Sequence, residues 1–127
     1  MAVKRGKKVR EETGALRHDR EGKGRFDLVS PYALARLAKH YENGVTQGGY
    51  DERNWEKGIK VSRCVDSAIR HTMQYLAGQN DEDHLAAAAW NLFCVMHFEE
   101  ALPSMVDIPS RLTHVGGVKN DRHTATK

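Results

Sequence analysis

Residues 82–102 leave a helix almost no polar face. Leu85, the alanine run 86–89, Trp90, Leu92, Phe93, Val95, Met96 and Phe98 take up nearly every side of it at helical spacing. Such a helix needs cover all round, so it is central to a bundle or packed against a second subunit. Asn80, Asp81, Glu82 and Asp83 stand in front of it, with acceptors and negative charge suited to the positive end of a helix dipole. Pro103 stops it.

Two shorter periodic segments precede it. Ser30 and Pro31 form a helix start, a side-chain cap followed by a proline whose missing N–H costs nothing there. Over residues 31–43, Leu34, Leu37, Ala38 and Tyr41 share one face, Arg36, Lys39 and Asn43 lie opposite, and Gly44 is expected to end the helix. Over residues 60–77, Val61, Val65, Ala68, Ile69, Thr72 and Leu76 form the apolar face, Arg63, Asp66, Arg70 and Gln74 the wet one, and Gly78 stops it. The predicted fold is therefore all-α, a helical bundle formed by residues 25–103. The chain has 127 residues, 39% of them hydrophobic, which is enough for one modest core. Residues 1–24 read as a flexible basic arm and 25–29 as a short extended lead-in. Residues 104–127 read as a C-terminal extension with a short helix near 108–112.

The net charge of +3 is unevenly placed: Lys4, Arg5, Lys7, Lys8, Arg10, Arg17, Arg20, Lys23 and Arg25 crowd the first 25 residues. This arm reads either as a solvated tail or as a contact for nucleic acid or polyphosphate. Cys64 and Cys94 fall inside apolar helical patterns, as reduced core thiols do, and no stretch has the apolar length of a membrane span or signal peptide. A cytoplasmic location is expected. No CxxC, GxSxG, HExxH or GxGxxG occurs, so zinc-type, nucleophilic and dinucleotide chemistry have no motif to rest on.

Polar groups set against the apolar pattern are the candidates for function. His84, Ala88, Asn91, Val95 and Phe98 fall on one stripe, which aims His84 and Asn91 into a packed face; the bland reading is helix packing with Asn91 bonded to backbone. His71 lies at the margin of the second helix's buried face, and an antiparallel hairpin would set it level with Asn91. Ala87 and Ala88 would floor a cavity there. Glu42 rides the edge of the first helix, as ligand or as a solvated helix-end acid. Glu82 and Asp83 read equally as ligands or caps, and Asp81 more as a cap. Asp66 and Arg70 have the spacing of a surface ion pair. In the loop, Asn54, Trp55 and Lys57 could stack a base and touch phosphate, or plug the bundle. Lys23 and Arg25 sit among glycines that suit phosphate without matching a Walker pattern.

Several of these segments in order resemble one family. They are Gly22-Lys23-Gly24-Arg25-Phe26-Asp27-Leu28, Tyr41-Glu42-Asn43-Gly44, the loop from Tyr50 to Gly58 with Asn54-Trp55, Ser67-Ala68-Ile69-Arg70-His71, and Glu82-Asp83-His84-Leu85 running to Trp90-Asn91. Over about residues 14–102 the chain resembles the phage and bacterial dATP/dGTP diphosphohydrolase N-terminal domain, a relative of the all-α MazG-like pyrophosphohydrolases. The resemblance implies a dimeric or larger helical bundle. It also implies divalent-metal cleavage of a purine deoxynucleoside triphosphate to monophosphate and pyrophosphate. MazG enzymes hold metal with paired ExxE and ExxD motifs; the second helix here has neither, and Asn91 stands about where the final acid would be.

The resulting expectation is Mg²⁺ or Mn²⁺ at Glu42, Glu82 and Asp83, with His71, His84 and Asn91 as catalytic residues. Lys23, Arg25, Asn54, Trp55, Lys57 and Arg70 would bind substrate. The competing readings are a non-catalytic domain binding nucleotide or a partner, and a nucleic-acid-binding protein using the basic arm.

Overall fold

In a computed structural model the chain is described over residues 6–112, and it divides into two compact units between Leu34 and Ala35. The start of the basic arm, residues 1–5, and the end of the C-terminal extension, residues 113–127, lie outside the described residues. The first unit holds a two-stranded antiparallel hairpin, β1 (Lys8–Arg10) with β2 (Leu16–His18), in register Val9 opposite Arg17. This corrects the reading of the arm as lacking any element. Gly14, at φ 94°, lets the connection turn back. Residues Phe26–Leu28 form a 3-10 turn, not an extended lead-in, and Arg25 there grips Asp27 through two nitrogens at 2.8 and 2.9 Å.

Helix α1 spans Pro31–Thr46, α2 spans Val61–Leu76 and α3 spans His84–Ala101. The protein is thus mostly helical, an all-α bundle with one small sheet. Ser30 Oγ accepts the Ala33 N–H at 3.1 Å, as a cap should. Gly44 does not end α1. The helix runs through it and closes where Gln47 and Gly48 both donate to the Asn43 carbonyl, ahead of Gly49 at φ 74°. One glycine costs a helix interior only about 1 kcal/mol, which its flanking turns absorb.

The core is Val61 and Cys64 of α2 with Cys94 and Phe98 of α3, walled by Trp55, Ile59, Trp90, Leu102, Met105 and Ile108. Helix α3 is covered on several sides, since Ala86, Ala87, Ala88, Asn91, Cys94 and Phe98 are all buried. Its exposed apolar residues are nonetheless many: Leu85, Leu92, Phe93 and Met96. The buried face of α2 differs from the expected one. Val61, Cys64 and Ala68 face inward, while Ile69 and Leu76 are 59% and 70% exposed. Small side chains let α2 lie close to α3, and that closeness selects the cysteine and alanine over the larger residues. Leu34 is likewise exposed, leaving Leu37 as the buried residue of α1.

Past α3 the chain stays on the core. Short 3-10 turns occupy Pro103–Met105 and Pro109–Arg111, and Asp107 ties this segment to the start of α2. Its carboxylate accepts the Ser62 N–H at 2.8 Å and the Ser62 hydroxyl at 2.6 Å, which satisfies one of the free amides at the head of that helix. Gly58 is fixed by this packing. At φ 112°, a Cβ there would lie 2.8 Å from Met105 Sδ.

Candidate functional site

The rotation of α2 that buries Cys64 and Ala68 also turns His71 inward, one more turn along the same face. There it meets His84, the first residue of α3. The two Nδ1 atoms are 2.9 Å apart and the ring centroids 5.2 Å. His84 is 2% exposed. Its other nitrogen, Nε2, lies 2.8 Å from the Asp81 carboxylate, and that bond holds the Asp81 carboxyl below the usual carboxylate range. Glu82 completes the group. One ligand atom each from His71, Glu82 and His84 lie within 4.8 Å of one another, the one such gathering of three His, Cys, Asp or Glu side chains among the described residues.

Asp83 has different work. It caps α3 by accepting the Ala86 N–H at 3.0 Å, and it accepts two guanidinium nitrogens of Arg36 at 2.7 and 2.8 Å. Arg36 holds its carboxyl down at about 2. Glu42 stands apart from the histidines and pairs with Lys39 at 3.3 Å. The structure therefore gathers Glu82 with the two histidines, and does not gather Glu42, Glu82 and Asp83. Asn91 donates to the Ala87 carbonyl of its own helix at 2.9 Å, and it is His84, not Asn91, that His71 faces.

An open hollow of about 680 Å³ lies beside α1, bounded by the loop that follows it and by Trp90 of α3. Tyr41, Tyr50, Trp55 and Trp90 supply aromatic walls, and Glu42, Asp51, Glu52, Arg53 and Asn54 supply the polar rim. The loop reaches this position through a 3-10 turn, Asn54–Lys57, that drives Trp55 into the core. The Trp55 ring lies edge-on to His97 at 4.7 Å and to Tyr41 at 5.9 Å. Trp55 is at once a plug of the bundle and a wall of the hollow, so the two readings of that residue are not exclusive. Burial pushes the Tyr41 hydroxyl up to about 12, which keeps it a neutral donor. Ala87 and Ala88 are packed helix surface, and the described hollow lies elsewhere.

His40 joins the hollow to the histidine group. Its ring is 5.5 Å from Trp90, it lines the hollow, and the charges of Glu82, His71 and Asp83 all reach it. Burial lowers its pKa, since desolvation outweighs the nearby carboxylates. The sequence alone does not single out His40, and it marks Asp81 more as a cap than as a site residue. The signals were faint: a histidine flanking Leu37 and Tyr41, and an acid three residues before His84.

The remaining candidates are dispersed. Lys57 is exposed at the end of the loop turn. Arg70 is ion-paired with Asp66 on the outer face of α2. Lys23 and Arg25 belong to the first unit, where Arg25 is held by Asp27.

A family model for the dATP/dGTP diphosphohydrolase N-terminal domain matches residues 13–107, a span that takes in the hollow and the histidine group. The chain belongs to that family. No curated protein and no solved structure matches it. The match runs past α3 as far as Asp107, the residue that clamps the head of α2. A diphosphohydrolase family suggests a nucleotide substrate and a divalent metal, and among the described residues His71, Glu82 and His84 are a group that could hold an ion. No helix of the described residues is long and apolar enough to cross a membrane.

Proposed function

We propose that the protein cleaves a purine deoxynucleoside triphosphate to its monophosphate and pyrophosphate, with a divalent metal ion held by His71, Glu82 and His84. The observation that carries this reading is the convergence of those three side chains beside an aromatic hollow, in a chain of diphosphohydrolase kinship. The ion supplies positive charge and Lewis acidity toward the phosphoryl oxygens.

The chain's own residues do the rest. Tyr41, Tyr50, Trp55 and Trp90 offer stacking faces for a base. Asn54 and the carboxylates of the rim accept hydrogen bonds from an exocyclic amino group, which adenine and guanine both carry. So acidic a rim repels bare phosphate, which favours placing the base in the hollow and the phosphates toward His40. Lys57, exposed at the end of the same loop turn, offsets phosphate charge. His40 accepts a proton from the attacking water, for which its lowered pKa keeps it neutral at neutral pH. The exposed apolar residues of α2 and α3 are covered in a dimer or larger assembly, in the cytoplasm.

The test is to incubate the protein with each of the four deoxynucleoside triphosphates and a divalent metal, separating pyrophosphate from orthophosphate and triphosphate. Pyrophosphate from the purine nucleotides is the expected result. Binding without any product would leave the non-catalytic reading in its place.

A further inference from the structure

His84 is buried and held from both sides, and the identities of its partners fix which nitrogen carries its proton. An ionised carboxylate only accepts, so the Nε2 facing Asp81 bears the hydrogen. The Nδ1 of His84 is then a lone pair, and His71 Nδ1–H donates to it across 2.9 Å. This tautomer follows from the bonding network. Moving the His71 proton from Nδ1 to Nε2, with no net loss, would turn two lone pairs toward the same space. Two imidazole nitrogens at ordinary distances of about 2.0–2.1 Å from one ion lie roughly 3.0–3.4 Å apart, close to the separation already present. The exposed Glu82 side chain is free to swing its carboxylate in as a third donor.

The donor set also chooses among ions. Mg²⁺ seeks octahedral oxygen and is reluctant to shed water, whereas paired imidazoles with one carboxylate suit first-row transition ions. We infer that the turn between α2 and α3 is a transition-metal site, formed by His71 and His84 through Nδ1 and by Glu82, that takes ions of the Zn²⁺ and Co²⁺ class in preference to Mg²⁺. Asp81 is its positioning residue. It orients a buried histidine ligand through the nitrogen that the ion does not use, as carboxylates behind metal-bound histidines do. The acids of this turn favour a cation, and Arg36 offsets only Asp83. None of this follows a ligand motif, because the two histidines are 13 positions apart on separate helices. The inference rests on the proposed reading of His71, Glu82 and His84 as metal-holding side chains and is independent of the nucleotide.

The experiment titrates the metal-free full chain with Co²⁺, following ligand-field absorption and heat, and then competes with Zn²⁺ and Mg²⁺. One Co²⁺ per chain is expected, displaced by equimolar Zn²⁺ and retained against a thousandfold excess of Mg²⁺. Asp81→Asn, at an exposed position that leaves folding intact, should weaken Co²⁺ roughly 10- to 100-fold. Glu82→Gln and His71→Ala should weaken it at least as much, while Asp66→Asn on the outer face of α2 should not. Ready displacement by Mg²⁺, no Co²⁺ absorption, or unchanged affinity in both Asp81→Asn and Glu82→Gln overturns the site. Pyrophosphate release supported by Mg²⁺ alone, without Co²⁺ binding, would sink this inference and leave the reaction standing. Tight Co²⁺ binding without turnover would do the reverse.

Discussion

Arg36 of α1 and Asp83 at the head of α3 stand 47 positions apart in the chain and meet in a two-point pair, with contacts of 2.7 and 2.8 Å. The same carboxylate caps α3, so one side chain fixes both a helix end and the docking of a second helix. Its pKa of about 2 lies below the ordinary carboxylate value of 3.8. A depressed folded-state pKa gives stability that is full above about pH 4 and lost as pH falls through about 2. Asp83→Ala should therefore cost ~1–2 kcal/mol at pH 7, mostly through the lost cap. That deficit should shrink between pH 4 and 2 as the carboxyl is protonated and its hold on Arg36 is lost, down to what a neutral cap still contributes, as checked by urea unfolding across pH.

Ala88 is 6% exposed within the packed face of α3. Ala88→Leu should overpack that face and cost ~1–3 kcal/mol. Its effect on nucleotide affinity, measured well below the unfolding midpoint, should be under twofold. Loss of binding with unchanged stability would instead place the ligand between α2 and α3.

Tyr50 lines the hollow yet is 61% exposed, so little of the fold depends on it. Tyr50→Ala should leave the thermal midpoint within a degree or two while weakening purine nucleotide binding. One lost base stack is worth ~1–3 kcal/mol, or roughly 5- to 150-fold in Kd. An unchanged Kd by calorimetry would place the base outside the hollow.

His40→Gln separates binding from chemistry. Turnover should fall ~100-fold or more with Kd for nucleotide little changed, if His40 accepts the proton. A base must be neutral to act, and burial lowers the pKa of His40. The acid limb of the wild-type kcat/KM profile, which reports the free enzyme, should therefore lie below the ordinary histidine range, with activity lost as pH falls through it. An acid limb at or above that range would assign the proton to another group.

Ile69, Met73 and Leu76 form an exposed apolar row on α2, and Leu85, Leu92 and Met96 form another on α3. Sedimentation at micromolar concentration should give a dimer or larger species. Met73→Glu or Leu92→Glu should shift it toward monomer without lowering helix content by circular dichroism.

Much of the scaffold is a matter of local chemistry and is written in the chain itself. Ser30 and Asp83 cap helices because their side chains reach the free amides two or three residues on. The largely apolar residues 84–101 demand cover on most sides whatever the neighbours are, which is why the central position of α3 is legible from sequence. Periodicity does not fix how far a helix turns about its own axis once docked, and one residue is about 100° of rotation. The close approach of α2 to α3 settled that angle in favour of Cys64 and Ala68, leaving Ile69 and Leu76 outside and bringing His71 against His84. Asp81, a plausible cap by position, became the partner of a buried imidazole because the turn brings it there, while Asp83 was drawn to an arginine of another helix. The hollow likewise joins His40 and Tyr41, a 3-10 turn in the following loop, and Trp90 from far along the chain. Capping and burial demand act over a few residues and belong to the sequence; the meeting of side chains across helices is set by packing and belongs to the tertiary structure.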